Sequence, residues 1–465
     1  MRMSRPSSVQ TPRTRRGGET GGRVARIASC LFLTATTCAL APAAPAGAAD
    51  APDAKFRAGD RWCAVGDSIT HTGMYTRYVY LFYATRFSDR PIEFFNCGSA
   101  GDTAKNGLVR LEKDVLRHKP TVVTIMYGMN DVRRALYAAG ADQAGIQTQR
   151  DAAVKTHVAS MKELSDRLKT AGVRRIFITP SPFDDTVALQ SDRSAGVNAA
   201  LGRCAENARG LAAATDASLI DFHAPMTALN LQRQAADPKF TLIGPDRVHP
   251  KEVGGFVMAY LFLKAQGATP YVSDIAEKAG GRSEFSFTCT EPALPFPVPP
   301  ECADALKLVP FTDELNQQRL RVSGLVPGTY TLSIDGGPVG AFTDAQLDAG
   351  VNLATSTDTP QYRQALAVAK LDERRQAVVR ILRDLDFMDL GLNPQYGVAD
   401  DFDYRAALAK RKPPVDAWSK QLREGYLKYK PAQAELRRER DALVAKIREA
   451  SKPLSHRFSL SLKQG

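Results

Sequence analysis

From residue 56 to about 266, short apolar runs alternate with amphipathic stretches, the rhythm of strands separated by helices. The runs predict strands over 62–65, 92–96, 122–127, 175–179 and 218–222, and the stretches predict helices over 74–87, 107–117, 151–170, 196–213 and 251–264. Strands separated by helices pair in parallel through crossovers. The expectation is therefore an α/β domain over 56–270, with its working residues where strands end and loops begin. Ser68, Gly101 and Asn130 each follow such a strand, which places all three on one edge of the sheet.

Beyond residue 270 the pattern changes. Residues 271–305 are proline-rich and read as an extended linker. From Leu320 to Phe342 the period falls to two, with Leu320, Val322, Tyr330, Leu332 and Ile334 alternating and with Pro327-Gly328 and Asp335-Gly336-Gly337 as turns, so a small antiparallel β element is expected over 306–355. Residues 360–455 read as helical: Leu371, Val378, Leu382 and Leu385 form one apolar face, and Leu436, Leu443 and Ile447 another.

The N-terminus changes the picture of charge. A basic lead, Arg13 to Arg26, precedes an apolar stretch from Ile27 to Leu40 and a small-residue site at Ala46-Gly47-Ala48, so residues 1–49 are expected to be a cleaved secretory signal and the product to be secreted or periplasmic. Cys30 precedes the apolar stretch instead of ending it, which argues against lipidation. No later apolar run reaches the roughly 18 residues that a membrane span needs, so no stable membrane insertion is expected after cleavage. The chain carries a net charge of +12, of which the seven arginines and one glutamate of residues 1–49 supply half. With no aromatic-interleaved basic stripe in the remainder, a nucleic-acid partner is not expected. In an oxidising compartment Cys289 and Cys302 make a natural disulfide over the proline-rich loop, while Cys63, Cys97 and Cys204 read as buried thiols. Their spacing gives no zinc signature.

Four short blocks carry candidate chemistry. Ser68, in Gly66-Asp67-Ser68-Ile69-Thr70, offers a hydroxyl that becomes a useful nucleophile only beside a base. Of six histidines, His118, His157 and His456 read as solvated, His223 follows a strand and is a rival base, and His71, three positions after Ser68 on the same turn, is awkward for an in-line bond to it but open to contact with substrate. His249 is favoured because Asp246 stands three residues earlier in a turn-rich segment, where its carboxylate reaches one ring nitrogen and leaves the other for the serine; the competing reading makes Asp246 a helix cap. Gly101 presents a backbone N–H and Asn130 a side-chain amide, which together with the Ser68 N–H form a set of donors for an oxyanion. The same two residues also fit a turn glycine and a helix cap.

In this order and spacing, the Gly66–Thr70 block, Ser99-Ala100-Gly101-Asp102-Thr103, Gly128-Met129-Asn130-Asp131 and Asp246-x-x-His249 resemble the SGNH (GDSL-type) hydrolases over roughly residues 60–265. The resemblance implies a three-layer α/β/α, flavodoxin-like fold and hydrolysis through an acyl-serine intermediate. It implies Ser68 as nucleophile, Gly101 and Asn130 as partners of the Ser68 amide in the oxyanion hole, His249 as base and Asp246 as its orienter. Ile69-Thr70 stands where Leu-Ser is frequent, and Ala100 where a serine often precedes the glycine; neither change removes a catalytic group. Gly66-Asp67-Ser68-Ile69-Thr70 is not a Gly-x-Ser-x-Gly elbow.

The expected activity is hydrolysis of short acyl esters, acetyl above all, on a carbohydrate or other small ester, with no cofactor and no metal. A thioesterase or lysophospholipase with the same machinery and a non-catalytic glycan-binding protein are the alternatives. Tyr75, Tyr78, Tyr80, Phe82 and Tyr83 fit either a sugar-stacking face or a core. With His249 as base, activity falls as pH drops through roughly 6 to 7, where a free imidazole becomes charged; a pH–rate profile flat to pH 4 contradicts it.

Overall fold

The computed structural model describes residues 54–138, 140, 144–191, 193–393, 396 and 402–463. The expected signal over 1–49 lies outside the described residues. The first half builds a five-stranded parallel sheet from β1 (Arg61–Gly66), β2 (Glu93–Gly98), β3 (Val122–Met126), β4 (Arg174–Ile178) and β5 (Ser218–Ile220), in the order β2-β1-β3-β4-β5. Its helices are α1 (Ser68–Thr72), α2 (Thr76–Arg86), α3 (Ala104–Arg110), α4 (Ile146–Thr170), α5 (Val197–Ala214), α6 (His223–Gln234) and α7 (Glu252–Ala265). This is the expected α/β sheet. Two helices were absent from the sequence reading: five-residue α1 is too short to show periodicity, and α6 buries only Met226 and Asn230.

Strand alternation sorts the two faces. Trp62, Ala64, Met126, Ile176 and Ile178 point into a core with α2 and α7, while Cys63, Val65, Val123, Ile125 and Phe177 face α4 and the C-terminal half of α5. Both faces are covered, which is why the strands read as continuous apolar runs. Because β2 and β3 lie on opposite sides of β1, the chain reverses direction across the sheet at the β1/β3 edge, and a crevice opens there at the carboxyl ends of the strands. The aromatic crowd on α2 belongs to the core: Tyr75, Tyr78, Tyr80, Phe82 and Tyr83 are all buried, so none is a sugar platform.

The second half departs further from expectation. Residues 271–290 are not linker but strands β6 (Tyr271–Arg282) and β7 (Glu284–Thr290). After α8 (Phe311–Leu315) come β8 (Gln317–Leu325), β9 (Thr329–Ile334), β10 (Gly337–Thr343), α9 (Asp344–Ala349) and β11 (Val351–Asn352). The chain then leaves through α10 (Pro360–Leu392), α11 (Tyr404–Ala409), α12 (Ala417–Tyr429) and α13 (Gln433–Ala450), and returns as β12 (Ser455–Leu462). Two sheets result, β10-β9-β12-β7 and β11-β8-β6, with Leu320, Val322, Leu332, Ile334, Phe458 and Leu460 in their shared core. The period-two pattern over 320–342 is therefore one part of a larger β unit. Its missing strands lie on either side in sequence, and β8 pairs with β6 in parallel rather than antiparallel. Long-range pairing of this kind leaves no local signal.

The expected Cys289–Cys302 bridge is absent: all five described cysteines are free. Cys289 sits on β7 opposite His456, whereas the Cys302 thiol is buried against the Tyr78 hydroxyl, 2.9 Å away, so the two belong to different cores. The apolar faces read from α10 and α13 do meet, through Val378, Leu382 and Leu443. Among the described residues no helix is long and apolar enough to cross a membrane. Phe458 of β12 is fully buried and stacks on Phe287 at 4.9 Å between ring centroids. Phe458→Ala is expected to cost about 3–5 kcal/mol, read as a lowered urea midpoint.

Candidate active site

Ser68 opens α1 directly beyond β1. The tight turn needs Gly66, because a Cβ there would stand 2.7 Å from the Met126 carbonyl on the neighbouring strand. Asp67 caps the helix, its Oδ1 accepting from the Ile69 N–H at 3.0 Å. His249 Nε2 lies 2.7 Å from Ser68 Oγ, and His249 Nδ1 lies 2.5 Å from Asp246 Oδ2. The three residues thus form one continuous chain from hydroxyl to imidazole to carboxylate. Nδ1 donates to the carboxylate, leaving Nε2 to accept the serine proton.

Asp246 does not cap α7, whose cap position is Lys251. Its Oδ1 instead accepts from the Val248 and His249 amides, both at 3.0 Å. Burial works in the other direction, but these amides and the His249 ring hold the Asp246 carboxyl well below the usual carboxylate range. The turn is closed by the Gly244 N–H to His249 carbonyl bond at 2.8 Å. Between them Arg247, at φ +62°, points inward and is buried. Its guanidinium donates to the carbonyls of Asp184, Val187, Leu189 and Ser191 at 2.8–3.1 Å, fixing the base-bearing turn to the loop after β4. The sequence reading passed over Arg247, since an arginine in a turn carries no sign that it is buried.

Gly101 lies in the turn after β2 with φ +80°, a conformation that suits glycine. Asn130 lies in the turn after β3 and caps no helix; its Nδ2 donates to the Asp102 carbonyl at 2.9 Å, and one amide hydrogen remains for another acceptor. The neighbouring Asp131 accepts from the Ala104 N–H at 2.9 Å, so the turns after β2 and β3 are tied together twice.

The other histidines face partners other than Ser68, and of the three read as solvated His157 and His456 are buried. His157 is buried with Nδ1 3.2 Å from Asp131, and although burial opposes charge, Asp131 and Cys204 push it up to about 10. His118 stacks on Phe95 and is pushed down to about 4 by burial and by Arg117. His456, also buried, bonds to Asp335 in the distant β unit. His223, the rival base, is turned to Asn198, with Nε2 3.1 Å from its Oδ1. His71 is buried and contacts Asp384 and the Ala100 amide rather than Ser68. For His157, periodicity marks a helix over 151–170 but not which face of it is covered.

Asp67 is pushed up to about 7, chiefly by burial and further by the nearby Asp131 and Asp102, against an ordinary value of 3.8. Between those values the native state keeps a proton that the unfolded chain has released, so this group lowers stability as pH rises through the window. Asp67→Asn keeps the capping oxygen, and it is expected to raise Tm relative to the parent at pH 8 and to change it little at pH 4 in paired thermal melts.

Residues 64–254 match the profile of the GDSL-like lipase/acylhydrolase family. A solved structure of a gut microbial diltiazem-metabolizing enzyme is 31% identical, with a TM-score of 0.79 over 88% of this chain and 99% of that one. An acetylxylan esterase of Geobacillus stearothermophilus is 24% identical over 228 residues, 46% of this chain and 96% of that protein. With the serine, histidine and aspartate in line on a 2-1-3-4-5 parallel sheet, the chain belongs to the GDSL-like lipase/acylhydrolase family, the SGNH hydrolases.

Proposed function

We propose that this protein is a secreted serine esterase that removes short acyl groups, acetyl above all, from a carbohydrate. The observation that carries the reading is the unbroken line from Asp246 through His249 to Ser68, with separations of 2.5 and 2.7 Å. In the acylation step Ser68 Oγ attacks the ester carbon while His249 Nε2 takes its proton, and Asp246 stabilises the resulting imidazolium. The carbonyl oxygen gains charge in the tetrahedral intermediate and is held by the amides of Ser68 and Gly101 and by the Asn130 side chain. His249 then returns the proton to the departing alcohol. Water, activated by the same ring, cleaves the acyl-serine in the second step.

The acetyl and carbohydrate parts of the reading are supported by the acetylxylan esterase relative. Secretion is supported by the basic lead, the apolar stretch and the Ala46-Gly47-Ala48 site of the first 49 residues.

The test is acetate release from acetylated xylan and from 4-nitrophenyl acetate by the mature protein and by Ser68→Ala. The variant is expected to lose about 10³-fold or more in kcat on both substrates. Activity retained by Ser68→Ala overturns the serine mechanism, and 4-nitrophenyl octanoate turned over as fast as the acetate overturns the short-acyl reading.

A further inference from the structure

The nucleophile, the base and the groups assigned to the oxyanion all come from the first 250 residues. Two consecutive residues of α10, more than a hundred positions later, are bonded toward the oxyanion groups from behind. The first is Asp384, whose Oδ1 is 2.8 Å from His71 Nε2. The other nitrogen of that ring, Nδ1, accepts the Ala100 backbone N–H at 3.2 Å. With Nδ1 accepting, the ring proton resides on Nε2 and is donated to Asp384, so both ends of the imidazole are committed. Ala100 immediately precedes Gly101. Gly98, just before them, packs so closely on the His71 backbone that a Cβ there would collide with it. His71 therefore lies between α10 and the Gly101 turn, its ring bonded to both sides.

The second residue is Arg383. Its Nη1 donates to both oxygens of the buried Asp114, at 2.9 and 3.0 Å. Asp114 also accepts from Arg110 Nη1 at 2.5 Å, and Arg110 Nε donates to Asp102 at 2.6 Å. The Asp102 carbonyl is the acceptor for Asn130 Nδ2. One hydrogen-bonded path from α10 thus ends on the amide next to Gly101, and a second ends on Asn130. The family profile ends at residue 254, so α10 lies outside it.

We propose that Asp384 and Arg383 are positioning residues for the oxyanion hole: Asp384 acts through His71 on the Ala100–Gly101 turn, and Arg383 acts through Asp114, Arg110 and Asp102 on Asn130. The C-terminal helices are then part of the catalytic apparatus rather than an appended module. This rests on the reading of the site as a serine esterase. Preorganised donors lower the barrier without tightening the ground-state complex, so loosening them reduces kcat and leaves KM nearly unchanged.

The test uses the full-length mature chain with Asp384→Ala and Asp384→Asn. Two readouts are taken: steady-state kinetics on 4-nitrophenyl acetate and amide hydrogen exchange in the peptide spanning 96–103. Asp384→Ala is expected to lower kcat about tenfold or more with KM within about twofold, and to speed exchange at Ala100. Asp384→Asn keeps an acceptor for His71 Nε2–H and is expected to recover most of the rate and the slow exchange. Unchanged kcat in Asp384→Ala, a rise in KM alone, unchanged exchange, or equal losses in both variants overturns the proposal. If the parent protein itself hydrolyses no ester, the esterase reading falls and the positioning role falls with it. An active parent beside an unaffected Asp384→Ala isolates the failure to α10.

Discussion

A carboxylate taken fully out of water is tolerable only when it is paired and hydrogen-bonded, and Asp114 is such a group. It sits beside β2, where the Cys97 thiol meets its carbonyl, and is bonded to Arg110 from its own helical stretch and to Arg383 from α10, with Arg117 close by. Desolvation alone would raise its pKa, but the guanidiniums more than offset this and hold it well below the carboxylate range. Removing any partner would leave charge buried and uncompensated. The cluster therefore ties α10 to the stretch that follows α3. Arg117 extends it to Asp386 at 2.8 Å, one helical turn further along α10.

The same fixation explains how a helix remote in sequence becomes part of the site's surroundings. A strand order that reverses at β1 brings the ends of β1, β2 and β3 together, which places Ser68, Gly101 and Asn130 at one crevice. Nothing in that sheet supplies the base. His249 is delivered by a separate turn, held in shape by Asp246 and by the buried Arg247, whose guanidinium replaces the regular backbone pairing that a loop lacks. Two polar anchors, Arg247 beneath the base and Asp114 behind the oxyanion turns, are thus buried charges whose hydrogen bonds are directional. An apolar contact would hold these loops in place but would not aim them.

The β unit shows the opposite economy of signal. Its core is ordinary apolar packing among Leu320, Val322, Leu332, Phe458 and Leu460. Only the middle of it was visible as a period-two stretch. β6 and β7 hid in a region dominated by prolines further along, and β12 hid behind the long helical excursion. Ser455–Leu462 does carry strand alternation, with Phe458, Leu460 and Leu462 at every second position, but its pairing partners β7 and β9 lie more than a hundred residues earlier.

The sequence by itself determined the α/β alternation and the five strands, and it singled out Ser68, Gly101, Asn130, Asp246 and His249 as candidates, because periodicity and short motifs are local properties that survive without a fold. It also showed the apolar faces of α10 and α13. Only the tertiary structure decided that Asp246 turns to His249 instead of capping a helix, that His157 and His456 are buried rather than solvated, and that Cys289 and Cys302 lie in different cores. It alone decided that β12 completes a sheet begun at β7, that Arg383 bonds Asp114 and that Asp384 bonds His71. Those outcomes depend on which distant surfaces meet. A charged residue reads the same in sequence whether it ends in water or bonded to a partner some 270 residues away.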